Sequence, residues 1–339
     1  MKISYACTEI KRRGFTTKPL TVYIYPTNAC SCKCTMCDVW KAKDKSYLTI
    51  KSMMDTIDEC NLMNVDSVVL VGGGEPSIHP QLNLLFDYTE QVYSAKMHEN
   101  ISSVKIGMMT NGVSSFDYKK YIQNLSVKYI RFSIDSLNPK TYKSIRHSDL
   151  KKPLKNFINC AKVAPDKTRI NCVVTNQNYK ELKDIIDFVD SMDSTVFFIL
   201  DYRLKDSKEI IDELKKYSGY KVDSHNIQDI TYAQQTLLNK NECVVPYVYC
   251  VINSSGDVYP CVVAADLYNT NKDKNVKILG NIYKDSLNYI WKARDRKFWV
   301  NCTYDICKRC SNGGIQECSL YIDYRNEYEE FKQKGNIFL

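Results

Sequence analysis

Residues Asn28 to Cys37 read N-A-C-S-C-K-C-T-M-C, which sets Cys30, Cys34 and Cys37 in a C-x3-C-x2-C triplet. Three thiolates this close can hold three irons of one cubane cluster and leave the fourth iron open. An open iron binds a ligand and does chemistry, whereas a cluster held wholly by cysteine is normally limited to electron transfer. The competing reading is a zinc knuckle built on Cys34 and Cys37 with further thiols, which Cys32 keeps open. The triplet follows an apolar β-type run, Leu20 to Tyr25, and a second such run, Ser67 to Val71, leads to Gly73-Gly74-Glu75-Pro76. Glycines there let the backbone approach a ligand closely. Their carbonyls can accept hydrogen bonds from an ammonium group, and Glu75 adds an anionic acceptor. The plain alternative is an ordinary strand-to-loop turn.

Working outward, apolar runs alternate with helical patterns. Further strands are expected at Val104–Met109, Tyr129–Ile134, Arg169–Thr175 and Thr195–Leu200. Leu82, Leu85, Phe86, Thr89 and Val92 recur at helical spacing, as do Leu182, Ile185, Ile186, Val189 and Met192. Six strands alternating with helices predict an α/β fold with parallel βαβ units, a partial (β/α)6 TIM-type barrel. Ligands in such sheets lie beyond the carboxyl ends of the strands. The cysteine triplet, Gly73–Pro76, Thr110-Asn111-Gly112, Asp135-Ser136 and Asp201-Tyr202-Arg203 all fall there. Near Asp206 the chain turns charged and loses its strand signal. The expected division is an extension over 1–19, the barrel over 20–205, a linker with a helix over 206–242, a small cysteine-rich β-hairpin and helix domain over 243–320, and a C-terminal helix or tail over 321–339.

The chain has 339 residues, 15 cysteines and a formal charge of +8. The N-terminus M-K-I-S-Y-A-C-T-E-I-K-R-R has no apolar signal run, and no stretch reaches the length of a membrane span. So many cysteines without a secretion signal favour a reduced, cytoplasmic setting with metal or redox thiols over a disulfide scaffold. The lysines are dispersed, as in Lys119-Lys120 and Lys151-Lys152, and read as solvated helix faces. No basic stripe argues for nucleic acid. Cys60 and Cys172 fit apolar faces and read as small core residues.

A second set comprises Cys243, Cys250, Cys261, Cys302, Cys307, Cys310 and Cys318. Ser255-Gly256-Asp257 marks a hairpin turn that brings Cys243 and Cys261 together. Leu279-Gly280-Asn281-Ile282, Asp285-Ser286-Leu287 and Ile290-Trp291 then lead to Cys307-x2-Cys310. A four-cysteine zinc ribbon would use the same ligands.

The triplet and the Gly73–Pro76 motif, in this order, resemble the radical SAM superfamily. The C-terminal arrangement resembles its SPASM and Twitch auxiliary-cluster domains. The resemblance implies a [4Fe–4S] cluster on Cys30, Cys34 and Cys37 that cleaves S-adenosyl-L-methionine to a 5′-deoxyadenosyl radical. It implies that Gly73, Gly74 and Glu75 hold the methionine amino group. Met36 stands where the family commonly has an aromatic against the adenine, and a polarisable Met can serve there. Ser133 and Asp135, in F-S-I-D-S, resemble the ribose-binding end of strand four. Arg146 resembles the carboxylate-binding arginine, and Asn111 is within reach of the nucleoside. One auxiliary [4Fe–4S] cluster, on Cys243, Cys261, Cys307 and Cys310, is the simpler count. Cys302 and Cys318 stand as substitute ligands, free thiols or hydrogen-atom donors.

The expected function is oxidation or epimerisation of a substrate, aided by the auxiliary cluster. A small sugar- or aminocyclitol-like natural product is slightly favoured, because only 19 residues precede strand one where peptide maturases often carry a leader-binding domain. Maturation of a ribosomally made peptide, by cross-linking or epimerisation, is the alternative. A non-enzymatic zinc-binding interaction protein is the remote one. A reducing partner such as flavodoxin or ferredoxin is implied. Asp201, Tyr202 and Arg203, on the rim of strand six, are the expected substrate contacts, against the reading that they only begin the linker.

Overall fold

Apolar runs such as V-V-L and V-F-F-I-L place large side chains on both faces of a strand, because successive residues point to opposite sides, and the two faces bury against different partners. The computed structural model describes residues 16–99, 101, 103–204, 207–217, 249–269, 276 and 278–293. The strands are β1 (Thr21–Ile24), β2 (Ser67–Leu70), β3 (Lys105–Thr110), β4 (Val127–Ser133), β5 (Thr168–Val174) and β6 (Thr195–Leu200). All five adjacent pairs among them are parallel. All six lie within two residues of the expected runs. Between them run α1 (Ile50–Leu62), α2 (Leu82–His98), α3 (Tyr118–Tyr121), α4 (Pro139–Arg146), α5 (Lys151–Ala161) and α6 (Leu182–Ser191).

One strand face, with Val22, Ile24, Val68, Leu70, Ile106, Met108, Ile130 and Phe132, joins Ile57, Leu85, Phe86, Phe157 and Ile185 from the helices in one buried core. The other face forms the barrel interior. There the Tyr129 ring fills the space beside Gly107, where a Cβ would stand 2.5 Å from the ring. The Arg131 guanidinium lies over the Tyr129 and Phe197 rings at 4.5 and 4.0 Å. This packed layer plugs the barrel and leaves the carboxyl-end rim as the place for ligands.

Among the described residues, the cysteine-rich segment joins the barrel sheet rather than forming one of its own. β7 (Tyr249–Ile252) pairs in parallel with β1, Thr21 opposite Tyr249 and Ile24 opposite Ile252. β8 (Asp257–Tyr259) and β9 (Gly280–Asn281) then add antiparallel strands, so the sheet order is β6-β5-β4-β3-β2-β1-β7-β8-β9. Without β7, the first barrel strand would present an open edge, which folded proteins cover. The expected hairpin turn is present, with Gly256 at φ +79°. α7 (Lys208–Lys215) lies in the expected linker, α8 (Val262–Asn269) follows β8, and α9 (Leu287–Ala293) follows β9. α9 buries Trp291, whose indole N–H donates to the Thr16 carbonyl at 3.0 Å. The remainder of 206–242, the tail over 321–339 and most of 1–19 lie outside the described residues. Among the described residues, no helix is long and apolar enough to cross a membrane.

Candidate active site

The loop after β1 alternates strictly over the first thiols: Ser31, Lys33 and Thr35 face solvent, while Cys32 and Cys34 are buried. Cys30 and Cys37 are half-buried. The loop is held from several sides. Cys37 N–H donates to the Cys34 carbonyl at 3.2 Å and Thr35 N–H to the Ile145 carbonyl at 2.9 Å. The Trp40 indole donates to the Cys34 carbonyl at 3.3 Å. Arg203 Nη1 donates to the Thr35 carbonyl at 3.2 Å.

A hydrogen bond with the Cys32 thiol, then the charge of Arg146, bring the Cys34 thiol down to about 6 against the cost of burial. Burial pushes Cys30 and Cys37 up to about 11. Cys32 is raised, by its bond to Cys34 and then by burial, as suits a protonated neighbour. Metal binding must displace the protons that remain, so loading is coupled to proton release. Among the described residues, no three His, Cys, Asp or Glu side chains converge on a single ion position. A cubane puts each thiolate on its own iron and requires no such point.

The glycine loop is laced to the cysteine loop. Gly74 N–H donates to the Thr27 carbonyl at 2.6 Å and Glu75 N–H to the Ala29 carbonyl at 2.7 Å. Gly72 and Gly73 adopt φ +32° and +65°, open to glycine and strained for other residues. A Cβ on Gly74 would fall 1.8 Å from the Ala29 carbonyl oxygen, a backbone clash that no rotamer relieves. Gly74→Ala is therefore expected to lower stability by about 1–3 kcal/mol and to slow any reaction needing both loops. Urea denaturation measures the first. An unchanged midpoint would mean the loops do not press on each other.

Glu75 is not the open anionic acceptor expected. Its carboxylate is buried and turned inward. Oε1 accepts from Ser77 N–H at 3.0 Å, the Ser77 hydroxyl at 2.6 Å and the Thr110 hydroxyl at 2.6 Å; Oε2 accepts from Asn111 N–H at 2.6 Å. Burial raises its pKa and these bonds oppose the rise. Its geometric effect is to tie the glycine loop to the end of β3. Beside it, the buried Asn28 Oδ1 has no hydrogen-bond partner and lies 2.8 Å from where a Gly73 Cβ would stand. A side-chain-free cradle with an unpartnered acceptor suits an ammonium group. With three thiols on the adjoining loop, the residues present fit an iron–sulfur cluster and an amino-acid ligand.

The end of β4 also differs from expectation. Asp135 is fully buried and pairs with Arg146 through Nε and, at 2.9 Å, through Nη2. Its Oδ1 also accepts from Val173 N–H at 2.8 Å. The third guanidinium nitrogen, Nη1, lies 3.6 Å from Cys34 Sγ. Asp135 and Arg146 therefore hold each other and the middle thiol, rather than standing open to a ribose and a carboxylate. Ser133 is half-buried at the strand end, and Met36 is half-buried on the cysteine loop. The Asn111 amide donates to Ser31 Oγ at 3.0 Å and lies 3.9 Å from Cys30 Sγ. Asp201 is buried and takes Arg203 Nε at 2.9 and 3.1 Å, so this pair braces the cysteine loop through Thr35. Both residues thus have partners inside the protein.

Asn28, Tyr25 and Asp266 take parts in the site that no motif signalled, and Thr110 one beyond its place on the rim. Tyr25 is fully buried against Gly72 and donates its hydroxyl to Asp266 Oδ1 at 3.1 Å, joining the barrel mouth to α8. Burial pushes the Asp266 carboxyl up to about 7. Of the second cysteine set, Cys261 lies at the start of α8, its sulfur accepting from Ala264 N–H at 3.3 Å. Cys250 is buried in β7. Cys243, Cys302, Cys307, Cys310 and Cys318 lie outside the described residues. Cys60 and Cys172 belong to the core, as expected.

A family model of the radical SAM superfamily matches residues 24–189, and one of an iron–sulfur cluster-binding domain, SPASM, matches residues 243–311. The GTP 3′,8-cyclase of Alkaliphilus oremlandii is 27% identical over 180 residues, 51% of this chain and 53% of that protein. That of Synechocystis is 25% identical over 177 residues, 51% of each. The chain thus spans about half the length of the curated relatives it matches. Streptococcus suis SuiB bound to S-adenosylmethionine superposes with a TM-score of 0.68 at 17% identity, over 91% of this chain and 75% of that one. Native anSMEcpe with bound AdoMet gives 0.59 at 18%, over 86% of each. At these identities the two structures speak for the fold, a partial TIM barrel followed by a cysteine-rich region. Two matching domain models, in the same order as the two cysteine sets, settle the family: this chain is a radical SAM superfamily enzyme with a SPASM-type iron–sulfur domain, and takes a [4Fe–4S] cluster, an auxiliary cluster and S-adenosylmethionine as its cofactors.

Proposed function

We propose that the protein is a radical SAM oxidoreductase or maturase that cleaves S-adenosylmethionine reductively, removes a hydrogen atom from a substrate carbon, and oxidises or epimerises that substrate. The observation that carries this reading is the lacing of the three-cysteine loop to the glycine loop beside the unpartnered Asn28 Oδ1. Cys30, Cys34 and Cys37 would hold the cluster, which supplies one low-potential electron to the sulfonium. Cys243, Cys261, Cys307 and Cys310 would hold the auxiliary cluster, a fully ligated site suited to accepting an electron from the product side. The Gly73 and Gly74 backbone would cradle the methionine ammonium. Glu75 fixes that backbone from beneath, through Thr110 and Asn111. Arg146, held by Asp135, keeps positive charge beside the Cys34 sulfur and favours its thiolate form. The division into a barrel over 20–205, a linker over 206–242 and an auxiliary domain over 243–320 belongs to the same proposal.

For the substrate, a ribosomally made peptide has the more direct support. Solved structures of similar fold include SuiB with its precursor peptide SuiA and anSMEcpe with bound peptides. A small natural product is the second reading, with chemistry unchanged on the protein side.

The test is anaerobic reconstitution with iron and sulfide, followed by dithionite and S-adenosylmethionine. The expected result is about eight irons per chain, from two cubanes, and formation of 5′-deoxyadenosine. Protein that takes up zinc instead and forms no 5′-deoxyadenosine would remove the enzymatic reading.

A further inference from the structure

Tyr142 brings a hydroxyl into the protein interior without an acceptor for it. The side chain is fully buried on α4, and among the described residues its oxygen has no hydrogen-bond partner. Tyr25 and Tyr118 are also buried, yet both hydroxyls are engaged, the first with Asp266 and the second with Thr110 and Ser114. A buried hydroxyl left unpaired costs stability, so such groups are rare in folded proteins. Tyr142 stands one turn before Arg146, and residues four apart share a helix face. This end of α4 is bound to the cysteine loop. Arg146 Nη1 lies 3.6 Å from Cys34 Sγ, and Thr35 N–H donates to the Ile145 carbonyl at 2.9 Å. Burial keeps the Tyr142 phenol protonated, and the fields of Arg146, Cys32, Asp135 and Cys34 reach it. Of these, Asp135 already accepts from Arg146 and from Val173 N–H. The sulfurs are the acceptors that remain.

Resting on the radical SAM reading, we propose that the Tyr142 hydroxyl is a built-in donor for the Cys34 corner of the three-cysteine cluster, and that with Arg146 it sets how readily that cluster takes its electron. A hydroxyl that is unpaired in the metal-free protein gains its acceptor when thiolate and sulfide charge is assembled at Cys34. Hydrogen bonds and positive charge at cluster sulfurs stabilise the reduced, more negative state and so raise the potential. Arg146 supplies the charge, and Tyr142 supplies a neutral donor beside it. Both side chains are buried, so water screens neither. The Cys30 sulfur is met differently, by Cys32 N–H at 3.5 Å and the Asn111 amide at 3.9 Å. The donors on α4 thus bias one corner of the cluster. Tyr142 acts through the ligand sulfur and touches no reacting atom.

The test is a mediated potentiometric titration of the anaerobically reconstituted chain, read by electron paramagnetic resonance with and without S-adenosylmethionine. The cofactor alters the signal of the cluster that binds it, which separates that cluster from the auxiliary one. In Tyr142→Phe, the three-cysteine cluster should be about three- to tenfold less reduced at the parent's midpoint, a fall of about 28–59 mV for one electron. Iron content and the auxiliary midpoint should stay at the parent's values. Metal-free Tyr142→Phe should unfold at the parent's urea concentration or above it, because it loses only an unpaired hydroxyl. Incorporation of 3-fluorotyrosine at position 142, a more acidic phenol of nearly the same size, should move the midpoint above the parent's. A midpoint unmoved in Tyr142→Phe, or an auxiliary midpoint that moves with it, overturns the proposal. So does a lower urea midpoint in metal-free Tyr142→Phe, the mark of a hydroxyl that serves the fold through an ordered water. If S-adenosylmethionine alters neither signal in the parent, the failure belongs to the radical SAM reading beneath it.

Discussion

Alanine at Cys30, Cys34 and Cys37 together is expected to abolish 5′-deoxyadenosine formation and to lower iron by about four atoms per chain, the content of one cubane. The argument is geometric as well as chemical. These thiols share one loop, and its backbone is pinned by Thr35 N–H to Ile145, by Gly74 N–H to Thr27 and by Glu75 N–H to Ala29. None of these bonds uses a cysteine side chain. Removal of the three sulfurs should therefore leave the fold and the other thiols in place, and the change in iron is separable from unfolding. Secondary structure and urea midpoint should match the apo parent, and the auxiliary iron should remain. Alanine at Cys32 should slow cluster loading, yet leave final iron content and cleavage near the parent level, because that thiol is buried and acts on the site through its hydrogen bond with Cys34. Residual cleavage in the triple variant would place the reacting iron elsewhere. Loss of all eight irons would show that the two ligand sets do not load independently.

The barrel was legible because its information is local. Continuous apolar runs over Ser67–Leu70 or Thr195–Leu200, and period-3.6 spacing over Leu182–Val189, each identify an element without reference to the rest of the chain. The motifs were legible because ligands at strand ends crowd into short loops. What sequence could not show are pairings between distant segments. β7 beside β1 joins residues more than two hundred positions apart, and nothing in Y-C-V-I distinguishes a barrel strand from a hairpin strand. The inward turn of Glu75 depends on Thr110 and Asn111, supplied by the next strand. Asp135 and Arg146 looked like two ligand-facing groups because each sits at the expected position. Only the fold shows that each is the other's partner.

That pair supports the second large effect. Asp135→Ala is expected to lower stability by about 3–5 kcal/mol, the usual cost of breaking a buried ion pair from one side. Asp135 has no exposed surface and Arg146 very little, so water cannot replace the lost carboxylate. The variant also strips the acceptor from Val173 N–H, a half-buried donor. A guanidinium left unpaired would turn toward the Cys34 sulfur at 3.6 Å and compete with metal for that thiolate. Slower cluster assembly should therefore accompany the stability loss. Asp135→Ala/Arg146→Met separates the two effects. Removing both charges takes away the uncompensated cation, so much of the stability should return. Iron loading should stay slow, because Cys34 then lacks the positive charge that favours its thiolate. Urea denaturation of the apo proteins measures the first quantity, and the time course of cluster absorbance during reconstitution measures the second. If the double variant is as unstable as Asp135→Ala, the cost lies in the lost packing and the Val173 bond rather than in a buried charge. If it loads iron at the parent rate, Arg146 has no part in preparing Cys34.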